Sequence, residues 1–334
     1  MTQDGGFVRE KKKKRGTYGP LSICTFSLFC LLLFLKNSDL ATGAVKEGLS
    51  LCATGLIPTL FPFLVLSELI LSGNLLQRLL KKPTRPLQKL LRLSPTGCGA
   101  LLLGLLCGFP VGAKCAVGAY DRGLLSHEEA ERILLLSSVP SAAFLINVVG
   151  KSLLKSRGLG LLLLVCALLS SLTSGLLLSP KRKQKEEPPR KEAPLFSPSP
   201  SGGASIFTGA VASATRGILL ICAYVVFFSA LSGALNGILL RFHTPTALQA
   251  VTHGMLELSG GVHRAAILFP TAIALPLCAF FVGWSGISVH FQILSLCEGR
   301  GFRFRSYFLG KLLQGILCVL FCTLLRMMLP INLF

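Results

Sequence analysis

Apolar positions along the chain gather into eight runs: Leu21–Leu35, Thr54–Leu71, Ala100–Gly118, Ile133–Val149, Leu159–Leu178, Gly217–Leu240, Ala265–Gly283 and Tyr307–Leu329. A helix needs about 20 such residues to cross the hydrocarbon of a bilayer. Leu159–Leu178 and Gly217–Leu240 contain no charged residue, so both predict full spans. Others are interrupted. Thr54–Leu71 carries Pro58 and Pro62, and Ala265–Gly283 carries Pro270 and Pro276. Proline frees backbone groups that lipid cannot satisfy, so broken spans belong beside protein or a watery pathway.

Two interruptions share their flanks. In the first, the apolar arm Gly97–Leu106 leads to Gly108-Phe109-Pro110-Val111-Gly112, a second arm to Tyr120 and the turn Asp121-Arg122-Gly123. In the second, an arm ending at Phe281 leads to Gly283-Trp284-Ser285-Gly286, an arm to Cys297 and the turn Glu298-Gly299-Arg300-Gly301. An arm of about ten residues is roughly 15 Å of helix, half a bilayer, which predicts two re-entrant helical hairpins. Ser126-His127-Glu128-Glu129 reads as a capping box opening the helix that becomes Ile133–Val149. Between the halves, 179–205 holds six basic and three acidic residues among many prolines, a composition that predicts a disordered cytoplasmic linker. The expected organisation is a basic N-terminus and anchor over 1–39, a first repeat over 40–178, the linker 179–205 and a second repeat over 206–334. The fold class expected is an all-α polytopic membrane protein, an inverted repeat with two re-entrant hairpins and about six full spans.

Composition narrows the function classes. Lys plus Arg number 34 against 14 Asp plus Glu, a net charge of +20, yet 51% of residues are hydrophobic and only 14% charged. Soluble chains carry about 25% charged residues. The basic excess is therefore read as facing a lipid bilayer, and a nucleic-acid partner is excluded. Basic residues favour the cytoplasmic side. Arg9–Arg15, Arg78–Arg92 and the linker accordingly predict an inside N-terminus, a first hairpin entering from inside, a second entering from outside, and an inside C-terminus. Arg300, Arg303 and Arg305 then fall outside, against the charge rule, where they would raise the local concentration of an anion. The 12 cysteines include no CxxC pair and read as small buried hydrophobes. No small-x-small cleavage site follows Leu35, so the first apolar run is expected to stay as an anchor.

Ionisable and polar groups at membrane depth supply the candidate chemistry. A half-helix beginning mid-bilayer points free N–H groups into a cavity, and Val111–Lys114 and Gly286–Ser288 are such starts. The expected substrate-binding set is Gly108, Phe109, Pro110, Val111, Gly112 and Lys114 at the first break. To these are added Gly283, Trp284, Ser285, Gly286, Ser288, His290 and Gln292 at the second, with Ser138, Ser141 and Asn147 from the intervening span. Lys114 makes a small anionic substrate the expected ligand. Glu68 and Glu257 are the ion-coupling candidates, for a proton or a sodium ion. Glu68 pairing with a neighbouring basic group is the structural alternative. His253 and Glu257 share a helix face and His263 follows, but this spacing is common without a metal, and no metal site or cofactor is expected. Gly-x-Ser-x-Gly, His-Glu-x-x-His and a Walker loop are absent from the sequence, so an enzyme is not expected. The oligomeric state is left open.

Pro58–Leu69 (PTLFPFLVLSEL), Gly108–Lys114 (GFPVGAK) and Glu128–Arg132 (EEAER), with Phe280–Lys311 in the second half, resemble the YlbJ-type (SpoVV) sporulation integral membrane proteins. The resemblance covers about residues 40–330 without the linker. It implies two nucleoside-recognition gate domains, an architecture similar to concentrative nucleoside transporters, and the tips Gly108–Lys114 and Gly283–Ser288 lining the substrate site. It further implies movement of dipicolinic acid during spore formation, in a bacterial cytoplasmic membrane such as the outer forespore membrane. The chain departs from the family at Ser137-Ser138-Val139, where an Asn-containing segment is the pattern. A nucleoside symporter and a non-transporting scaffold of the sporulation envelope are the alternative readings.

Overall fold

The structure is a computed structural model that describes residues 18–72, 85–178 and 203–328, and helices account for nearly all of them. Helix α1 (Tyr18–Lys36) meets α2 (Ser38–Leu51) at Asn37, whose non-helical backbone (φ −128°, ψ 40°) separates the two. A π-helical turn at Cys52–Leu56 joins α2 to α3 (Ile57–Ser72). Pro58 has no N–H for the regular ladder, and the wide turn just before it absorbs the defect. Pro62 also lies inside α3, so these prolines distort the rod without ending it. Helix α10 (Gly203–Arg241, 39 residues) begins within the last residues expected to be linker. It runs antiparallel along α2 and α3. Small residues allow the approach: a Cβ on Gly48 would meet Ser229 Oγ at 2.9 Å, and Gly233 faces Leu40 and Ala44.

After α4 (Arg85–Leu91), helices α5 (Pro95–Cys107) and α6 (Val111–Asp121) pack as a hairpin. Helix α7 (His127–Leu136) breaks, resumes as the π-helical α8 (Phe144–Leu153), and is followed by α9 (Arg157–Leu178). The order recurs after α10. Helices α11 (Thr246–Leu256) and α12 (Leu258–Leu268) form a hairpin; α13 (Thr271–Trp284) and α14 (Gly286–Cys297) form a broken helix; α15 (Phe304–Met328) is the long last one.

This order moves the second hairpin. The expected one had its tip at Gly283–Ser288, but α13 and α14 do not fold back on each other, whereas α11 and α12 do. Ser285 (φ 73°) and Gly286 (φ 78°) kink a helix that keeps going, and Thr271–Cys297 is long and apolar enough to cross a membrane. Ser38–Leu66, Arg157–Leu178, Ala204–Arg241 and Phe304–Met328 also qualify, making five such helices among the described residues. The α11–α12 hairpin was missed because its arms carry His253, Glu257, His263 and Arg264, which hide it from a search for apolar runs.

The relocation corrects the placement of Arg300 and Arg303. Arg300 forms a two-bond pair with Asp121 (Nε–Oδ1 2.7 Å, Nη2–Oδ2 2.8 Å), and Arg303 Nη2 lies 3.0 Å from Glu131 Oε2. They share an end of the bundle with the base of the first hairpin, not the opposite side. Helix α15 therefore starts at that end, and its last turn, Met328, points away from it. The Arg300 guanidinium holds the Asp121 carboxyl below its ordinary range. The Ser126 cap is present, its Oγ accepting from Glu129 N at 3.2 Å. The Glu129 carboxylate, however, accepts from Ser94 N at 2.5 Å, fastening α7 to the start of the first hairpin instead of closing a capping box. The basic segment Arg9–Arg15, residues 78–84 of the second basic cluster and linker residues 179–202 lie outside the described residues.

Candidate functional site

Each hairpin tip is docked on the broken helix that follows it. At the first, Phe109 N donates to Val139 O at 2.9 Å, and Gly108 (φ 76°) lies so close to the Pro140–Ser141 backbone that a Cβ would meet Pro140 C at 3.0 Å. The Phe109–Pro110 peptide is cis. At the second, the glycine stands on the other partner. Gly286 (φ 78°) packs against the tip, where a Cβ would meet Leu258 N at 2.9 Å, and Trp284 Nε1 donates to Met255 O at 2.9 Å.

The break in α7–α8 shows where its backbone groups go, as burial requires. Pro140 cannot serve Leu136 O, which accepts from Ser171 Oγ of α9 at 2.6 Å. Ser137 O accepts from Val139 N, and Val139 O from Phe109 N. Ser138 O accepts from Lys311 Nζ of α15 at 2.6 Å. Ser141 Oγ then caps α8 at Phe144 N (3.2 Å).

Both tips and both breaks border one cleft. Its lining includes Cys107 and Phe109 from the first tip and Pro140, Ser141 and Phe144 from the first break. Glu257, Leu258 and Ser259 come from the second tip, and Ser288, Val289 and Gln292 from beyond the second break. Leu56, Leu60, Phe63 and Leu64 of the α2–α3 rod and Ile221 and Val225 of α10 complete the wall. Its cavity volume is about 50 Å³, well below the roughly 300–1,000 Å³ usual for small-molecule sites, so the cleft is narrow in this structure. Two polar atoms facing this region, Ser288 Oγ and Gln292 Oε1, are buried without a protein partner. Glu257 is the one charged residue among those lining the cleft. Its carboxylate caps α12, Oε1 accepting from Ser259 N at 2.9 Å and Oε2 from Gly260 N at 2.5 Å. The positive end of that half-helix therefore already has its anion.

A second cavity, about 510 Å³, is lined by Glu47, Ser50 and Thr54 together with Ser229, His253, Gly260 and His263. The tip of the second hairpin thus borders both cavities, Glu257 on one and His253 on the other. His253 Nδ1 lies 2.5 Å from Ser232 Oγ.

The expected site residues separate into groups. Phe109, Ser141, Ser288 and Gln292 line the cleft, as does Glu257. Gly108, Gly286 and Trp284 hold tips to breaks, while Pro110 is the residue preceding α6, Val111 is buried, and Ser285 Oγ bonds back to Val282 O. Gly112 faces Ser137, and Gly283 faces Gln314 and Gly315 of α15. His290 turns away among Trp284, Tyr307 and Phe308, and Asn147 is not among the lining residues. Lys114 is half-exposed and outside the cleft. Its Nζ lies 2.7 Å from Glu68 Oε1 and 2.7 Å from Ser213 Oγ, tying α6 to α3 and α10. At the other end of the rod, Arg264 of α12 reaches Glu47 of α2 at 3.4 Å. Among the described residues no cluster of three metal-ligating side chains occurs. Sequence reasoning missed Lys311, although it is the one charged residue between Arg305 and Arg326. It also missed Ser259 and the apolar wall from α3 and α10, for which a run of Leu, Ile and Phe gives no local signal.

The chain is similar to the sporulation integral membrane protein YlbJ of Bacillus subtilis (strain 168). The two are 26% identical over 343 aligned residues, covering 91% of this chain and 82% of that protein. This agrees with the YlbJ-type resemblance carried by Pro58–Leu69 and Gly108–Lys114. No protein-family model matches the chain, and no solved structure matches it. An integral membrane relative together with five apolar helices makes this a multi-pass membrane protein.

Proposed function

We propose that the chain is a secondary carrier that moves a small ring-bearing solute across a membrane during spore formation. The observation that carries the reading is the convergence of two hairpin tips and two helix breaks on one cleft with partnerless polar atoms at Ser288 and Gln292. Interrupted helices of this kind belong to solute paths. In this reading α5–α6 and α11–α12 are re-entrant from opposite faces, the two halves form an inverted repeat, and α2–α3 with α10 is the frame. The ion pairs Lys114–Glu68 and Arg264–Glu47 tie one hairpin each to opposite ends of that frame, and cavities bordering both sides of the second tip suit alternating access. The sporulation role comes from the YlbJ relative.

Dipicolinic acid is the first substrate to test, on the family resemblance. Phe109 and Phe144 offer faces for its ring, and Ser141, Ser288 and Gln292 offer hydrogen bonds. Glu257 would repel its carboxylates unless protonated, which makes a proton the coupling ion of this reading. A neutral nucleoside is the second substrate, favoured by one observation: Lys114 is spent on Glu68 instead of facing the cleft. The test is uptake of labelled dipicolinic acid and of uridine by the purified chain in liposomes, with and without an inward proton gradient. Gradient-stimulated dipicolinic acid uptake supports the first substrate, and uridine uptake alone moves the proposal to the second. No uptake of either, in both orientations, overturns the carrier and leaves a scaffold.

A further inference from the structure

Lys311 has no exposed surface, and neither an ion pair nor a carboxylate partner is found for it among the described residues. Its Nζ donates to Ser138 O at 2.6 Å and to Gln314 Oε1 at 2.8 Å. The surrounding titratable side chains are His290 on α14 and Tyr307 and Cys318 on its own helix; α9 and α13 contribute only Cys166 and Cys278, nearer Cys322. A buried amine set on two oxygen acceptors, one of them a carbonyl freed by a helix break, is unusual. Broken helices in carriers commonly satisfy such carbonyls with a coupling cation, and a buried polar group without a partner carries a cost of its own.

We propose that the Lys311 amine is a tethered substitute for a bound monovalent metal ion at the α7–α8 break, so that this break is held without sodium. The Ser138 carbonyl and the Gln314 side-chain oxygen are the ligands the metal would have used. The position matters because the same break presents Pro140 and Ser141 to the cleft and receives the first tip through Val139 O. The coupling consequence rests on the carrier reading, but the occupancy of the site does not.

The test therefore reads stability first. Purified wild-type chain is unfolded thermally in sodium, potassium and choline chloride at equal ionic strength, with no substrate present. The midpoints are expected to agree, and stabilisation by sodium over both other salts overturns the proposal without any variant. Lys311→Ala removes the amine and leaves space, and its midpoint should fall by roughly 3–10 °C. Methylammonium or sodium should restore part of that fall, and choline none. Lys311→Met fills the space without donating, so it should fall similarly and resist rescue. A Lys311→Met protein as stable as wild type overturns the proposal, as does a Lys311→Ala protein that no small cation restores. In liposomes showing uptake, wild-type transport should be unchanged when choline replaces sodium. Absence of uptake would strike the carrier reading and leave the stability result standing.

Discussion

Gln292→Leu separates a solute site from a packing position because the two readings predict opposite signs. Gln292 is buried on α14, and its Oε1 has no protein partner. An acceptor left in that condition costs about 1–3 kcal/mol. Leucine has nearly the same volume and removes the acceptor, so the substrate-free protein should gain about 1 kcal/mol or more. A gain of 1 kcal/mol corresponds to roughly 2–4 °C in Tm for chains a little shorter than this one. A hydrogen bond from solute to Gln292 is worth about 0.5–1.5 kcal/mol, and uptake should therefore show a KM raised about 2- to 10-fold. Thermal unfolding without substrate and concentration-dependent uptake in liposomes measure the two effects on one preparation. A variant that is less stable than wild type, with KM unchanged, would refute the argument, since it would make Gln292 a satisfied structural residue.

Other positions give further checks. Lys114→Met and Glu68→Gln should leave solute affinity unchanged, because neither side chain lines the cleft, while a double-mutant cycle on stability shows coupling of about 0.2–1 kcal/mol; a tenfold loss of affinity in Lys114→Met would return that lysine to the site. Gly286→Ala forces a side chain into positive φ, costing about 1–2 kcal/mol, and presses its Cβ toward Leu258 N; unfolding should shift down, and an unshifted midpoint would show that this tip is not docked on α14. Arg300→Ala should destabilise by no more than about 1 kcal/mol at neutral pH, since the pair is partly exposed. Asp121 has its pKa lowered in the fold, so its contribution is present above the unfolded value of about 3.9 and lost as pH falls through the lower folded value. The wild-type and Arg300→Ala midpoints should therefore converge in acid, and a difference that persists at about pH 2 would mean that the arginine acts chiefly through its bonds to Leu296 O and Glu298 O.

The long helices were legible because their signal is local: twenty residues without charge state their own environment. The first hairpin was legible for the same reason, Gly108 and Pro110 marking a turn inside an apolar run. The second was misplaced by two helices, and the cause is physical. Its arms keep four ionisable side chains, His253, Glu257, His263 and Arg264, two of them answered by something distant in sequence: Ser232 for His253 and Glu47 for Arg264. Glu257 instead caps the helix it begins. Chain-local hydropathy scores such residues as polar, whereas the fold gives three of the four a partner.

The same distance effect inverted the electrostatic argument. Two cations were available to serve the breaks, and the sequence favours Lys114, which sits beside a glycine-rich tip. In the structure Lys114 goes to Glu68, and the amine that reaches a break comes from Lys311, 173 positions from Ser138. Residues nearest a break in sequence are committed to making its turn: Gly108 and Gly286 to close approach, Ser137 and Ser138 hydroxyls to the preceding carbonyls Ile133 O and Leu134 O. The carbonyls left over must be served from other helices, α9 through Ser171 and α15 through Lys311. A polar residue within a largely apolar span is thus better evidence about a distant break than about its own helix, and in this chain Ser171 and Lys311 are the residues that say so.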